Sequence, residues 1–236
     1  MRIVVVFPWA QGSLSDAEEA HRRALATAAA SPGTEVDFVQ IEQASMFSEP
    51  FSGGNTSRVV GEIVQAIERA AFGGPDAFLV WGGLDPGVAA ARERVDVPVV
   101  GVAQATYAIA GQLGARLGLV VYEAAIVDAI RAGARACGAD RLIAGIRSID
   151  VPMPELTPRR AHVRERIVDE ASAALAQDGA TAIYVNGMSM MPSAMSAEEL
   201  TSRIGAPVLD PLRIGMRTAE LVAGLARGAR RQHPAR

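Results

Sequence analysis

Residues Asp76–Gly87 read DAFLVWGGLDPG, and the reading of this stretch decides the fold. Phe78, Leu79, Val80 and Trp81 form a continuous apolar run, the composition of a strand covered on both faces. Strands of that kind belong to parallel sheets, whose crossover helices coat both sides. Gly82-Gly83 then strips the turn of side chains, so the backbone can approach another group closely. Further along, Ala182-Ile183-Tyr184-Val185-Asn186-Gly187 repeats the pattern of Ala77–Gly82, and the two turns go on to Pro86 and Pro192. The repeat predicts two half-sites that face each other.

Outward from this stretch, apolar runs alternate with helical periodicity. Strands are expected at Arg2–Phe7, ended by Pro8, and at Thr34–Ile41, Phe78–Trp81 and Val97–Gly101. A second set follows at Leu117–Val121, Leu142–Ile149, Ala182–Asn186 and Pro207–Leu209. Between them, Ser15-Asp16-Ala17-Glu18 is a capping-box start for a helix. Others are expected near Ser57–Ala71, after Pro86, and at Gln104–Leu113, Ala124–Ala136, Arg159–Gln177 and Ala197–Ile204. Pro211 introduces a last helix with Ile214, Leu221, Val222 and Leu225 on its inner face. Glu42–Thr56, with Pro50, Gly53 and Gly54, is a long connection of the kind often used for binding. The fold class is therefore α/β: two pseudo-symmetric doubly wound domains, each a roughly four-stranded parallel sheet, with a ligand cleft between them. One domain is expected over 1–100 plus 210–236, with the C-terminal helix returning to cover it, and the other over 101–209.

Composition narrows the function. The chain has 236 residues, half of them apolar, and a net charge of −3. That balance argues against a nucleic-acid surface, and the arginine-rich stretch Arg227–Arg236 reads as a solvated tail. Ile3–Phe7 is too short for a signal-peptide core, and no apolar run reaches the length of a membrane span, so a cytoplasmic location is expected. Cys137 is the sole cysteine, which rules out an internal disulfide and a cysteine-based zinc site. It reads as a small apolar residue at a helix end. All 23 basic residues are arginines, so neither a pyridoxal-phosphate Schiff base nor a phosphate-loop lysine is possible. His21, His162 and His233 lie too far apart in sequence for a close metal-ligand motif and read as surface residues. No cofactor and no metal are expected.

Residues at the carboxyl ends of the strands are the candidates for chemistry. Gly82, Gly83, Gly187, Met188 and Ser189 offer backbone N–H groups for a carboxylate or enolate oxygen. Glu123 and Asp85 are candidate general bases, although Asp85 equally suits a cap for the helix beginning at Pro86, and Glu123 one for the helix from Ala124. Tyr122 is placed to donate a proton, to hold an oxygen, or simply to pack. Trp9, Met188, Met190 and Met191 suggest an apolar cleft, or core packing. Gln104 and Ser189 are candidate polar contacts. Asn55, Thr56, Ser57 and Arg58 stand where a glycine-rich loop enters a helix, which suits an anion or a plain cap.

The quoted stretch resembles a signature of the aspartate/glutamate/hydantoin racemase superfamily, closest to its hydantoin-racemase branch. Asp85-Pro86-Gly87 and Ala90-Ala91-Arg92-Glu93 match that branch's turn and helix. Val97–Gly101, Leu119–Val121 and Pro207–Asp210 sit where the family has similar strands. In these racemases a cysteine in each half works as a pair across the substrate carbon. The resemblance places the first at Gly82 and the second at Gly187, or at Met188 if the register slips by one. Arylmalonate decarboxylases keep the second cysteine, so the chain departs from them as well. Pro8-Trp9-Ala10 replaces an asparagine-bearing turn that holds substrate in similar proteins, and Tyr122 lies near a tyrosine used by decarboxylase and maleate-isomerase relatives. The resemblance implies a cofactor-independent isomerase or lyase acting on a small carboxylate or cyclic carbonyl compound through an enolate-like intermediate. Backbone donors and Glu123 or Tyr122 would then replace the cysteines, and relatives suggest a homo-oligomer. A non-catalytic binding homologue, and a cyclase or hydrolase of secondary metabolism using the same cleft, are the other readings.

Overall fold

A computed structural model of the chain describes residues 1–43 and 51–232. Pro50 and His233 lie outside the described residues. Four strands, β1 (Arg2–Ala10), β2 (Glu35–Ile41), β3 (Ala77–Val80) and β4 (Val99–Gly101), form one sheet in the order β2-β1-β3-β4. Three more, β5 (Leu117–Val121), β6 (Ile143–Ser148) and β7 (Ala182–Asn186), form a second sheet in the order β6-β5-β7. Every strand pairing is parallel. The carboxyl ends of each sheet's strands therefore share one edge, and the connections must be crossover helices.

The described residues form eight α-helices: α1 (Asp16–Ala29), α2 (Gly53–Ala71), α3 (Val88–Arg92), α4 (Val102–Gln112), α5 (Val127–Ala136) and α6 (Arg160–Gln177) lie between successive strands, and α7 (Ala197–Ile204) and α8 (Pro211–Gln232) follow β7. Ser15 caps α1, its side chain accepting the Glu18 N–H at 3.3 Å, and Asp16, Glu18 and Glu19 in the first turn complement the helix dipole. The repeated strands β3 and β7 are buried at every residue, as their unbroken apolar composition requires. Among the described residues, no helix is long and apolar enough to cross a membrane.

Five details differ from the sequence reading. Pro8 does not end β1, which continues to Ala10; the register against β2 shifts between Phe7 and Ala10, and this irregularity accommodates a residue with no N–H. Helix α2 starts at Gly53 rather than Ser57, because Ser52 caps it by accepting the Asn55 N–H at 3.2 Å. The expected eighth strand, Pro207–Leu209, is reduced to a single parallel bridge between Ile183 and Val208. Pro207 has no N–H to add to a ladder, and Asp210 already caps α8, its carboxylate accepting from Leu212 and Arg213. Arg227 is no part of a solvated tail; it sits in α8 and pairs with Asp76.

The fifth difference is the inner face of α8. Ile214 and Val222 pack against the first sheet's core as expected, but Leu221 and Leu225 are 62% and 66% exposed, and Leu212, Met216, Ala219 and Ala223 are buried there instead. Small residues win this face because the helix lies close: a Cβ on Gly215 would come within 2.9 Å of Leu79 and Val102.

A candidate active-site cavity at the strand ends

Residues at or just beyond the carboxyl ends of β1, β3, β5 and β7 converge on one small cavity. Pro8 comes from β1, Gly82, Gly83 and Leu84 follow β3, Tyr122 follows β5, and Asn186, Gly187 and Met188 come from the end of β7. Ile126 and Met153 complete its wall. The cavity has a volume of about 30 Å³, the scale of a single water molecule.

Its glycines are required by geometry. A Cβ at Gly82 would stand 2.9 Å from Pro86 Cδ and 3.1 Å from Pro86 Cγ, inside any normal packing distance. A Cβ at Gly83 would run into the Asn186 carboxamide. Gly187 has φ of +152°, a conformation that L side chains rarely adopt, and its Cβ would meet Met190 Cε at 3.0 Å. No cysteine lines the cavity. Cys137, the sole one, is exposed at the end of α5, where its thiol donates to Gly133 and Ala134 carbonyls.

Two polar groups are held in the wall. The Asn186 side-chain amide donates to the Gly83 carbonyl at 2.8 Å and to the Tyr184 hydroxyl at 3.1 Å, tying the turn after β3 to the end of β7. Its Oδ1 and the Tyr122 hydroxyl are buried without a hydrogen-bond partner among the described residues. Among the described residues, Tyr122 is the one side chain lining the cavity that can titrate. Burial, and then the neighbouring Glu123 charge, push its phenol well above the ordinary tyrosine value, so it is a neutral donor and acceptor. None of the described residues in the wall can act as a carboxylate, imidazole or thiolate base.

The sequence candidates divide accordingly. Gly82, Gly83, Tyr122, Gly187 and Met188 meet at the cavity. Asp85 does not line it; its carboxylate accepts from Ala103 and Gln104, both at 2.8 Å, and so caps α4 rather than the helix after Pro86. Helix α3 begins behind Gly87 with no side-chain cap, because the positive-φ turn at Asp85 and Gly87 turns the carboxylate away. Desolvation raises the Asp85 pKa to about 6 against the pull of the two backbone N–H groups and Arg92.

Glu123 makes no helix cap either. It accepts the Phe51 N–H at 2.9 Å, docking the start of the α2 segment on the second sheet. Gln104 accepts from Arg92 at 3.0 Å outside the cavity. Trp9 is fully buried in the first sheet's core, stacked on Phe7 with centroids 4.2 Å apart. Met190 and Met191 are core residues of the second sheet. Ser189 faces away, its hydroxyl accepting from Arg22 at 2.9 Å. Asn55 is buried in the first turn of α2, and Thr56 and Ser57 turn their hydroxyls back onto helix carbonyls. Of the histidines, His162 is exposed, and His21 is half-buried beside the Ser193 carbonyl at 3.3 Å.

Sequence reasoning missed Pro8, Leu84, Asn186, Ile126 and Met153 as cavity residues, and Arg22 behind them. Asn186 carried a signal, being the one polar residue of an otherwise apolar strand that enters a glycine turn. Ile126 and Met153 carried none, since only the fold brings their loops to this point.

Comparison with known proteins matches this fold. The family model described as Asp/Glu/Hydantoin racemase matches residues 15–219. A hydantoin racemase from Pseudomonas sp. (strain NS671) is 29% identical over 167 residues, 70% of this chain and 65% of the relative's length. The structure of an allantoin racemase from Klebsiella pneumoniae superposes with a TM-score of 0.85 at 26% identity, over 95% of this chain and 88% of that one. A variant of arylmalonate decarboxylase in a liganded form shares the fold, with a TM-score of 0.66 at 18% identity over 94% of this chain and 92% of that one. With two parallel sheets, a cavity at their strand ends and a family match over most of its length, the chain belongs to the Asp/Glu/hydantoin racemase family.

Proposed function

We propose that the protein is a cofactor-independent isomerase or lyase that acts on a small carboxylate or cyclic carbonyl compound through an enolate-like intermediate. The observation that carries this reading is the pair of unpartnered buried polar groups, Tyr122 hydroxyl and Asn186 Oδ1, in a cavity floored by two glycine turns. Buried polar groups are normally satisfied, and unpaired ones mark where a ligand completes the bonding. The relatives support the class: the proteins it resembles are named racemases and a decarboxylase.

Within that class the cavity favours the lyase. Racemisation needs a base on the α-carbon, and the described residues of the wall hold none. Loss of CO₂ needs no base: the C–C bond to the departing carboxylate breaks, and its electron pair passes into an enolate. The Tyr122 phenol and the N–H groups of the Gly82-Gly83 and Gly187-Met188 turns would hold the enolate oxygen. The α-carbon is then protonated by Tyr122 or by a water beside it. Leu84, Ile126, Met153 and Met188 are the walls that must move to admit a substrate larger than the present cavity, and methionine adapts readily. In this reading Asp85 and Glu123 are structural, and the protein works in the cytoplasm as a homo-oligomer.

Incubation with arylmalonates, hydantoins and maleate-like diacids in D₂O, followed by ¹H NMR, tests the proposal. Loss of CO₂ with deuterium appearing at the α-carbon is expected for arylmalonates. The absence of decarboxylation, exchange or isomerisation with all three classes would overturn it. The missing base also suits a second reading, a binding homologue without turnover; in that case Tyr122→Phe changes only the affinity of a ligand.

A further inference from the structure

A second cavity lies beside the first, and nothing in the chemistry proposed above uses it. Gly83 and Leu84 line both. The second, of about 190 Å³, extends between α3, α4 and α5. Its helical walls are mostly small residues, Ala89, Ala103, Ala129 and Gly133 among them, and Ala89 and Gly133 are exposed at its rim.

Small residues alone make only a gap, but two polar groups give this one chemistry. Tyr107 lines it, is 4% exposed, and stands edge-on to the Tyr184 ring with centroids 5.9 Å apart. Its hydroxyl has no hydrogen-bond partner among the described residues. Burial, and then the Asp85 charge, push its phenol up, so it is a neutral donor. Asp85 lines the same cavity, and each of its oxygens accepts one N–H, from Ala103 or Gln104. Each oxygen keeps a further acceptor site. No arginine or histidine is among the described residues lining this cavity, so an anion would meet only the Asp85 charge. An ammonium group is disfavoured as well, because the N–H groups that open α4 already compensate that carboxylate. What fits is a neutral group with a donor beside an acceptor: an amide, its N–H toward Asp85 and its carbonyl toward Tyr107.

The shared wall couples the two cavities. Leu84 must move to admit a substrate to the first, and the backbone around it is held, because Asn186 donates to the Gly83 carbonyl and Asp85 caps α4. The Leu84 side chain is therefore the movable part, and the second cavity is the space beside it. We propose that this second cavity binds a small neutral amide between Tyr107 and Asp85, and that its occupant blocks the retreat of Leu84 and so opposes substrate binding. The amide site stands on its own geometry, and the inhibitory effect rests on the reading of the first cavity as a substrate site.

NMR titration of the full chain with 2-pyridone, a flat neutral lactam, tests the site. Saturable binding is expected, with a Kd of about 1 mM for so small a ligand. Tyr107→Phe should weaken it by about fivefold, and N-methyl-2-pyridone, which lacks the N–H, should bind at least about tenfold more weakly. Gly133→Leu, at a position whose Cβ would stand in open space, should abolish binding by filling the cavity. Tyr122→Phe, in the first cavity, should leave binding unchanged. Absence of saturable binding, or binding that Tyr107→Phe and Gly133→Leu leave intact, would overturn the proposal, as would its loss in Tyr122→Phe. Phenylmalonate decarboxylation tests the coupling. At about ten times its Kd, 2-pyridone should raise KM by about tenfold with kcat unchanged, and Tyr107→Phe should need about five times as much. An unchanged KM would overturn the inhibitory effect. No turnover of phenylmalonate would count against the proposed function and remove the inhibitory effect with it, while 2-pyridone binding still decides the amide site.

Discussion

The carboxylate of Asp85 accepts the backbone N–H of Gln104 at 2.8 Å, and its other oxygen accepts that of Ala103. The glycine turn after β3 is thereby pinned to the first turn of α4, and the same turn carries Gly82, Gly83 and Leu84 into the cavity. A carboxylate adjacent to a candidate active site is here a helix cap acting at a distance.

This bond gives a pH prediction. The pKa of Asp85 in the folded protein, about 6, lies above the ordinary aspartate value of about 3.9. A group raised on folding contributes stability that is full below its unfolded pKa and is lost as pH rises through the folded one. Asp85 should therefore contribute about 2 kcal/mol more at pH 4 than at pH 7. Urea titrations of wild type and Asp85→Asn at the two pH values isolate it. The stability of wild type relative to the variant should grow on acidification, and a constant difference would contradict the assignment.

The glycines give a second. Gly82→Ala brings a Cβ against Pro86, and Gly187→Ala forces a side chain onto φ of +152°. Each should destabilise by about 1–3 kcal/mol. Gly133→Ala, in α5 with open space around its Cβ, should stabilise by about 0.5–1 kcal/mol. Denaturant midpoints of the three variants check both signs. The same constraint bears on cysteine chemistry: a thiol cannot be placed at Gly82 or Gly187 without moving Pro86 or the β7 turn.

Helix α8 provides a third. Met216→Ala should cost about 2–5 kcal/mol, because Met216 is fully buried against the first sheet. Leu221→Ala should stay within about 0.5 kcal/mol. Equal losses measured by urea unfolding would restore the inner face expected from the sequence.

That reversal shows where sequence legibility ends. The strand positions, the parallel connectivity and the paired turns were readable, because unbroken apolar runs and glycine turns are local signals. The inner face of α8 was not, because two apolar stripes wind around one helix and Gly215 selects the narrower. Asp85 and Glu123 were identifiable as strand-end carboxylates. Which N–H each accepts depends on α4 and Phe51, elements brought close only by the fold. The cavity glycines and Tyr122 were within reach because each ends or follows a strand, whereas Arg22 lies mid-helix and looks like any surface arginine in sequence.

A fourth prediction concerns the tie between α8 and the first sheet. Asp76 accepts the Arg2 N–H at 2.7 Å and the Arg227 Nε at 2.6 Å. Burial pushes its pKa up, but the Arg2 N–H and the Arg227 guanidinium more than reverse that, leaving it lowered. The stability it contributes is thus present above the ordinary aspartate value and lost as pH falls below it. Asp76→Asn should cost about 1 kcal/mol at pH 7 and nothing once the wild-type carboxyl is protonated, as thermal melts at low and neutral pH would show.

The central claim is that turnover in this cavity proceeds without a thiol and depends on Tyr122. The most direct measurement is the rate of phenylmalonate decarboxylation by wild type, Tyr122→Phe and Cys137→Ser under identical conditions. The account predicts that Tyr122→Phe lowers kcat by about 10²–10⁴-fold and that Cys137→Ser leaves it unchanged. Full activity in Tyr122→Phe, or its loss in Cys137→Ser, would contradict it.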